Sequence, residues 1–255
     1  MFKATIKTVA ATGAALLALT GAALADGSIK DAPAPAPARE FTYSFTIGAT
    51  SDYVFRGISF ADESPAFQPS INFGYGIAYL GVWGSNLDNG AQYGSWETDF
   101  YGGIKPVLGP VTFDFGAVYY AYFGGSDVNY VELKAGASGS PVKNLTVGAT
   151  AWYTPDQSNY VETYSIEGTA AYTLPALGIF TPTLSGLVGY STQTDDLVVG
   201  VVDFTALGVK DYTYWNAGLA LAVEKFTFDF RYWDTTIDNG LADERFVFSA
   251  SITLP

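Results

Sequence analysis

The side chains that could do chemistry in this chain are of few kinds. Its 255 residues include no histidine and no cysteine. That removes the Ser-His-Asp triad, the Cys-His pair, the usual haem ligand and a conventional zinc site, so neither an ordinary hydrolase nor a cofactor or metal site is expected. What remains is a set of carboxylates, Glu97, Asp99, Asp114, Glu132, Glu167 and Asp229, and a smaller set of bases, Lys134, Arg231 and Arg245. Each lies in a segment that alternates polar and apolar residues, on the polar phase. If those phases share one interior, these nine residues line it, and six acids against three bases give it a negative field with a mild preference for cations. Asp52, Arg56 and Trp83 are candidates for a constriction. A guanidinium at Arg56 can pair with Asp52 or with a wall carboxylate and so set the shape of a mouth, or it can simply fix its own loop.

The elements that must position these groups follow from composition and period. Lys3 and Lys7, a short apolar run from Val9 to Ala18 and the sequence Ala23-Leu24-Ala25 read as a secretory leader over 1–25, cut after Ala25. Residues 26–40, with Ala32-Pro33-Ala34-Pro35-Ala36-Pro37, lack hydrophobic bulk and favour extended, solvated backbone, as a periplasmic tether or a plain spacer. The formal charge of −13 falls to about −15 when both leader lysines are removed, which argues against nucleic-acid binding. An exported chain without cysteine must hold its fold by burial and backbone pairing. With 49% apolar and only 15% charged residues it is too apolar for disorder, yet no mature stretch is long enough for a helical membrane span.

From 41 to 255 the apolar residues recur every second position, broken by Gly, Pro, Asn and Asp. Twelve segments are predicted, near 41–50, 66–75, 78–85, 95–105, 111–122, 128–138, 143–154, 159–173, 179–191, 211–223, 225–234 and 244–254. The links 76–77, 106–110, 139–141, 174–178 and 224 are brief. The links 52–65, 86–94, 124–127, 155–158, 192–210 and 235–243 are mostly longer and polar. An even strand count with short turns at one end and long loops at the other suits an all-β, closed antiparallel up-and-down barrel of the outer-membrane kind. Asp88-Asn89-Gly90 and Asp238-Asn239-Gly240 suit turns better than a calcium site.

Alternation also occurs in soluble sandwiches, so the character of the faces decides. Val111, Phe113, Phe115, Ala117 and Tyr119 oppose Thr112, Asp114, Gly116, Val118 and Tyr120, while Phe226, Phe228, Phe230 and Tyr232 oppose Thr227, Asp229, Arg231 and Trp233. A soluble sheet exposes Lys and Glu, whereas these second faces look like a lumen. The outward aromatics are expected in two girdles. Phe67, Trp96, Tyr119, Tyr153, Tyr160, Tyr190, Tyr232 and Phe246 form the outer one, and Phe41, Tyr43, Tyr75, Tyr172, Phe180 and Phe226 the inner one. From Phe180 to Tyr190, at about 3.3 Å per residue and roughly 40° of tilt, is on the order of 25 Å, the height of an apolar band.

The run Thr50-Ser51-Asp52-Tyr53-Val54-Phe55-Arg56-Gly57-Ile58-Ser59 resembles a signature near the mature start of the TorF family of porins. So do Tyr79 to Asn86, Glu97 to Gly103, and Tyr119-Tyr120-Ala121-Tyr122. The likeness spans essentially the whole mature chain and is sharpest in its first third. It implies an outer-membrane barrel with a transport role and supplies no substrate. The expected partners are outer-membrane lipid, lipopolysaccharide and a small solute or ion; no oligomeric state follows.

Two readings of the lumen stay open. One is an open or ligand-gated pore for small solutes, with Tyr79, Trp83, Tyr101, Tyr120, Trp152, Tyr212, Tyr214 and Trp233 pointing inward, either to stack on solutes or to stiffen the tube. The other is a structural or adhesive barrel whose charges pair to fill it. The apolar run with Leu197, Val198, Val199, Val201, Val202 and Phe204 could serve either reading, as plug or as partner surface. An outer-membrane lipid hydrolase would need a base that this chain does not offer.

Overall fold

The computed structural model describes residues 40–88, 93–125, 128–158, 160–194 and 209–255. The leader, the tether up to residue 39, Asn89, Gly90 and the run from Leu197 to Phe204 lie outside these residues.

Alternation builds strands almost everywhere. β1 (Phe41–Thr50) is followed by two short pieces, β2 (Val54–Phe55) and β3 (Ile58–Ser59), then by β4 (Ala66–Tyr75), β5 (Ala78–Asn86) and β6 (Trp96–Ile104). β7 (Val107–Leu108) sits in a turn before β8 (Val111–Phe123), β9 (Tyr130–Val142), β10 (Leu145–Thr154) and β11 (Thr163–Thr173). β12 (Thr181–Gln193), β13 (Asp211–Val223), β14 (Phe226–Thr235) and β15 (Arg245–Leu254) complete the chain. Twelve of these, all but β2, β3 and β7, pair antiparallel with their neighbours in sequence. The ring closes where β15 meets β1, with Phe45 opposite Leu254 and Thr50 opposite Ser249. Closure leaves no sheet edge, which is what a sheet in hydrocarbon requires, because nothing there can satisfy an unpaired N–H or C=O.

The two faces are inverted relative to a soluble barrel. On β1, Phe41, Tyr43, Phe45 and Ile47 are exposed outside, while Thr46 and Thr50 are buried inside. The outer band of exposed aromatics includes Phe67, Tyr119, Tyr190 and Phe246, and the inner band includes Phe41, Tyr43, Tyr75 and Phe226. Tyr160 is the exception. It is buried and stacks on Tyr130 with ring centroids 4.1 Å apart. Its backbone forms an isolated bridge with Gln157 ahead of β11, so strand parity does not reach it. For the same reason the predicted segment 159–173 begins as a strand only at Thr163.

The link expected at 139–141 is also displaced. β9 continues to Val142, and the turn is Lys143 and Asn144, with Asn144 at φ 66. An irregularity in the β9–β10 register lies between the Leu145 and Val147 pairings, and Pro141 falls opposite it. A proline lacking an N–H is tolerated at such a bulge, so it does not end the strand. Asn239 caps a short 3-10 turn through its side chain, which accepts from the Leu241 N–H.

Inside, large rings lie over glycines. A Cβ at Gly81 would come within 2.5 Å of the Tyr101 ring, and one at Gly189 within 2.2 Å of the Tyr214 ring. At Gly103 and Gly116 it would come within 2.7 Å and 2.5 Å of the Tyr79 hydroxyl.

Candidate functional site

The first outer loop, L1 (51–65), does not stand outside the barrel but folds into it. Val54-Phe55 and Ile58-Ser59 pair as a hairpin around Arg56 (φ 50) and Gly57 (φ 85). Two successive residues with positive φ make the tight turn that matches strand twist, and the second position favours glycine. Space enforces the same choice, since a Cβ on Gly57 would lie 2.2 Å from Thr235 Cγ2 and 3.1 Å from Tyr214 Cβ. The hairpin tip therefore presses directly on the β13–β14 wall.

Arg56 occupies the left-handed region, where a non-glycine residue is strained, and its side chain shows what holds it there. Its Nη2 lies 2.9 Å from both carboxylate oxygens of Glu132. Glu132 also accepts from the hydroxyls of Tyr120 at 3.0 Å and Thr154 at 3.1 Å. The guanidinium lies over the rings of Phe55 at 4.8 Å and Trp152 at 5.4 Å. Arg56 is only 6% exposed and Glu132 1%. Burial pulls the Arg56 pKa down, but Glu132, Tyr214, Tyr120 and Glu167 together more than reverse this and raise it well above the ordinary value, so the guanidinium stays charged.

Other L1 residues reach the remaining walls. Asp52 pairs with Nη1 of Arg245 on β15 at 2.9 Å and accepts from the Ser59 hydroxyl at 2.7 Å. Arg245 also lies 3.5 Å from Glu63 and donates to the Gly240 carbonyl. Tyr53 donates to Glu97 on β6 at 3.2 Å and packs 5.2 Å from the Trp83 ring on β5. Burial, followed by the charges of Glu97 and Asp99, raises the Tyr53 pKa well above the ordinary value, which keeps it a donor. Phe55 meets Tyr120 edge-on, and Tyr130 is stacked between Tyr120 at 4.4 Å and Tyr160 at 4.1 Å. L1 and this tyrosine cluster pack across the outer half of the lumen.

Beneath L1 lies a cavity of about 250 Å³. Asp52, Arg56, Trp83, Asp99, Lys134, Glu167, Asp229 and Arg231 are on its lining. Arg231 grips Asp229 through two hydrogen bonds, Nε at 3.0 Å and Nη2 at 2.9 Å, and also donates to Ser185 and Asn216. Across the lumen, Lys134 pairs with Asp114 at 2.8 Å, and Tyr79 donates to the same carboxylate at 2.7 Å. Lys105 approaches Asp114 at 3.9 Å. Glu167 accepts only from neutral donors, Trp152 Nε1 and the Tyr214 hydroxyl, each at 2.9 Å.

Of the other residues expected to line a pore, Glu97 and Glu132 are sealed behind Tyr53 and Arg56, Asp114 lies under Lys134, and Arg245 sits at the outer rim. Of the two partners foreseen for Arg56, the structure has the wall carboxylate; Asp52 goes to Arg245 instead. Among the described residues, Glu97, Asp99 and Glu167 have no ion pair, and no group of three or more His, Cys, Asp or Glu side chains could hold a metal. Sequence reasoning missed Gly57 and Tyr53 as residues that seat L1. The signal was present: two short β-prone pairs separated by two residues, the second a glycine, is a hairpin pattern.

No curated protein matches the chain. Among solved structures the chain is similar to the KdgM porin, with a TM-score of 0.57 at 10% identity, covering 83% of this chain and 99% of that one. It is also similar to the NanC porin, with a TM-score of 0.52 at 12% identity, covering 83% and 98%. LpxR from Salmonella typhimurium gives a TM-score of 0.50 at 10% identity, covering 83% and 99%. At such identities the likeness is one of fold, and that fold is the closed antiparallel outer-membrane β-barrel. The family pattern described as "Bacterial protein of unknown function (Gcw_chp)" matches residues 34–252, and this chain belongs to that family.

Proposed function

We propose that this protein is a porin-like outer-membrane channel for small solutes or ions, mildly cation-preferring, with L1 as the element that closes its outer half. The observation that carries the reading is the charge balance of the lumen. Once Arg56, Arg231 and Arg245 are matched to Glu132, Asp229 and Asp52, and Lys134 and Lys105 share Asp114, the carboxylates Glu97, Asp99 and Glu167 are left over, the first two hydrogen-bonded to each other and so sharing a proton. In a narrow, low-dielectric tube an unmatched negative charge lowers the barrier for cations and raises it for anions. The resemblance to TorF porins and the porin-like fold support passage rather than catalysis. Export through a cleaved leader would deliver the chain to the outer membrane, where lipid and lipopolysaccharide would cover the apolar exterior.

The second reading, a structural or adhesive barrel with a filled lumen, is favoured by the dense packing of L1 against Tyr120, Trp152 and Tyr214. Purified barrel in a planar bilayer under a potassium chloride gradient separates the two. Discrete steps with a cation-selective reversal potential are expected. A correctly inserted barrel that never conducts, or that prefers chloride, overturns the channel reading.

A further inference from the structure

We infer that the cavity beneath L1 is a binding subsite for a neutral monosaccharide, seated between a wall of hydroxyl and amide groups and a wall of rings. The inference rests on the channel reading in that it names a solute class for the same lumen, yet it concerns occupancy and does not require conduction.

The two walls follow from strand order. β4, β1 and β15 are consecutive in the ring. They turn small or amide side chains toward the cavity: Gln68, Ser70 and Asn72 from β4, Thr46 from β1, Ser249 and Ser251 from β15. None of the lining residues on these three strands is charged or aromatic. From β5 round through β6 and β8 to β10 the lining carries rings instead, Trp83, Tyr101, Tyr120 and Trp152. β10 lies six strands from β1 in either direction, so Trp152 stands across the bore from the hydroxyl wall. L1 packs its large groups on the ring side, Tyr53 on Trp83, Phe55 on Tyr120 and Arg56 over Trp152, and the void is left against the small residues.

The chemistry of the two walls selects the occupant. Gln68 Nε2 donates to Ser85 and Asn72 Oδ1 accepts from Tyr101, but Gln68 Oε1, Ser70 Oγ and Asn72 Nδ2 have no hydrogen-bond partner among the described residues. Together these atoms both donate and accept, as a sugar hydroxyl does. A charged solute finds no free counter-charge there. Arg56 is held by Glu132, Lys134 by Asp114, Arg231 by Asp229 and Asp52 by Arg245. Asp99 shares a proton with Glu97, and both oxygens of Glu167 already accept from ring donors. A purely apolar solute would strip water from the polar wall and leave it unsatisfied. A sugar ring meets both sides, its C–H face on an aromatic ring and its hydroxyls on the polar wall. The volume of about 250 Å³ is the share of roughly eight liquid waters, which is room for one such ring.

The test uses barrel in an amine-oxide detergent, which unlike a maltoside carries no sugar, with glucose at neutral pH as the probe and saturation-transfer NMR as the readout. Glucosamine and glucuronate are the cationic and anionic comparators, and glycerol has hydroxyls but no ring. Saturable glucose binding is expected, with each comparator weaker. Tyr101→Leu, which removes a ring, should weaken glucose by about fivefold, whereas Tyr101→Phe, which keeps it, should not. Asn72→Asp keeps the side-chain shape and the acceptor for Tyr101 but replaces Nδ2 by a charge, so glucose should weaken and glucosamine should overtake it. Ser70→Asp provides a second acidic variant should Asn72→Asp fail to fold, with folding checked by heat-modifiable migration on gels. The inference is overturned by any of four results: no saturation in the wild type, a wild type that prefers a comparator, glucose binding unchanged in folded Tyr101→Leu, or a folded acidic variant that keeps the wild-type preference. A barrel that binds glucose but never conducts keeps the subsite and loses the channel, while one that conducts without binding does the reverse.

Discussion

Arg56→Ala is the substitution that bears most directly on L1 as a closure. The truncation removes the ion pair to Glu132 and the stacking on Phe55 and Trp152 while leaving all twelve barrel ladders intact. Removing one member of a buried pair costs about 3–5 kcal/mol, chiefly because the other charge is stranded. Here Glu132 keeps the Tyr120 and Thr154 donors, so the lower end applies. The lost ring contacts add roughly 0.5–1 kcal/mol. The alanine gains nothing at φ 50, because that region is as strained for alanine as for arginine. A net cost of about 3.5–4 kcal/mol falls on the docked state alone, which shifts the ratio of docked to released L1 by roughly 400- to 900-fold. Single-channel recording should then show a large rise in open probability, and liposome swelling with small solutes should quicken in parallel. Arg56→Lys, which keeps the charge but loses the planar fork, should fall between the two. A folded Arg56→Ala barrel whose open probability and swelling rate match the wild type would refute the view that this pair holds L1 in the lumen.

Other expectations use different handles. Gly57→Ala places a methyl 2.2 Å from Thr235 Cγ2 on a backbone at φ 85, a strain of about 1–3 kcal/mol against docking; open probability should rise without loss of barrel thermal stability, and an unchanged channel counts against a wall-seated tip. Burial holds the Tyr53 pKa above the ordinary tyrosine value of about 10, so its support for docking is complete below that pH and is lost as pH climbs toward the elevated value. Conductance should accordingly rise under strong alkali, and Tyr53→Phe should remove part of that rise; identical titrations would dismiss the link. Phe230 is half exposed on the outer face of β14, so Phe230→Arg should cost about 2–4 kcal/mol in urea unfolding from lipid vesicles. A neutral result would mean that this face does not meet hydrocarbon.

Strands and faces were readable because period two is a local property. β8 and β14 show it plainly: Phe115 and Phe230 are exposed, while Tyr120 and Asp229 are buried inside. Period says nothing about residues just beyond a strand, and Tyr160, ahead of β11, turns inward against the parity assigned to it. Pro141 looked like a strand end because proline usually breaks a ladder, and only the pairing irregularity opposite it shows how β9 runs on to Val142. Contacts between distant segments were the least legible. Nothing in the spacing of Arg56 and Glu132 says that 76 residues of chain bring them to 2.9 Å. By sequence Arg56 can pair with Asp52 or with a wall carboxylate, and only the closed ring selects between them.

The glycines beneath the inward tyrosines give the bore an adjustable calibre. A ring lying flat on Gly81 or Gly189 takes little radius from the tube, and an alanine at either position would lever the Tyr101 or Tyr214 ring away from the wall. At Gly103 and Gly116 a methyl would also meet backbone carbonyls, of Phe115 at 2.3 Å and of Gly102 at 2.8 Å, so there the wall itself requires glycine. Single codon changes at Gly81 and Gly189 would resize the passage in small increments while strand number and the lipid-facing surface stay as they are. Barrels built on this frame therefore have a short evolutionary route to solutes of different girth.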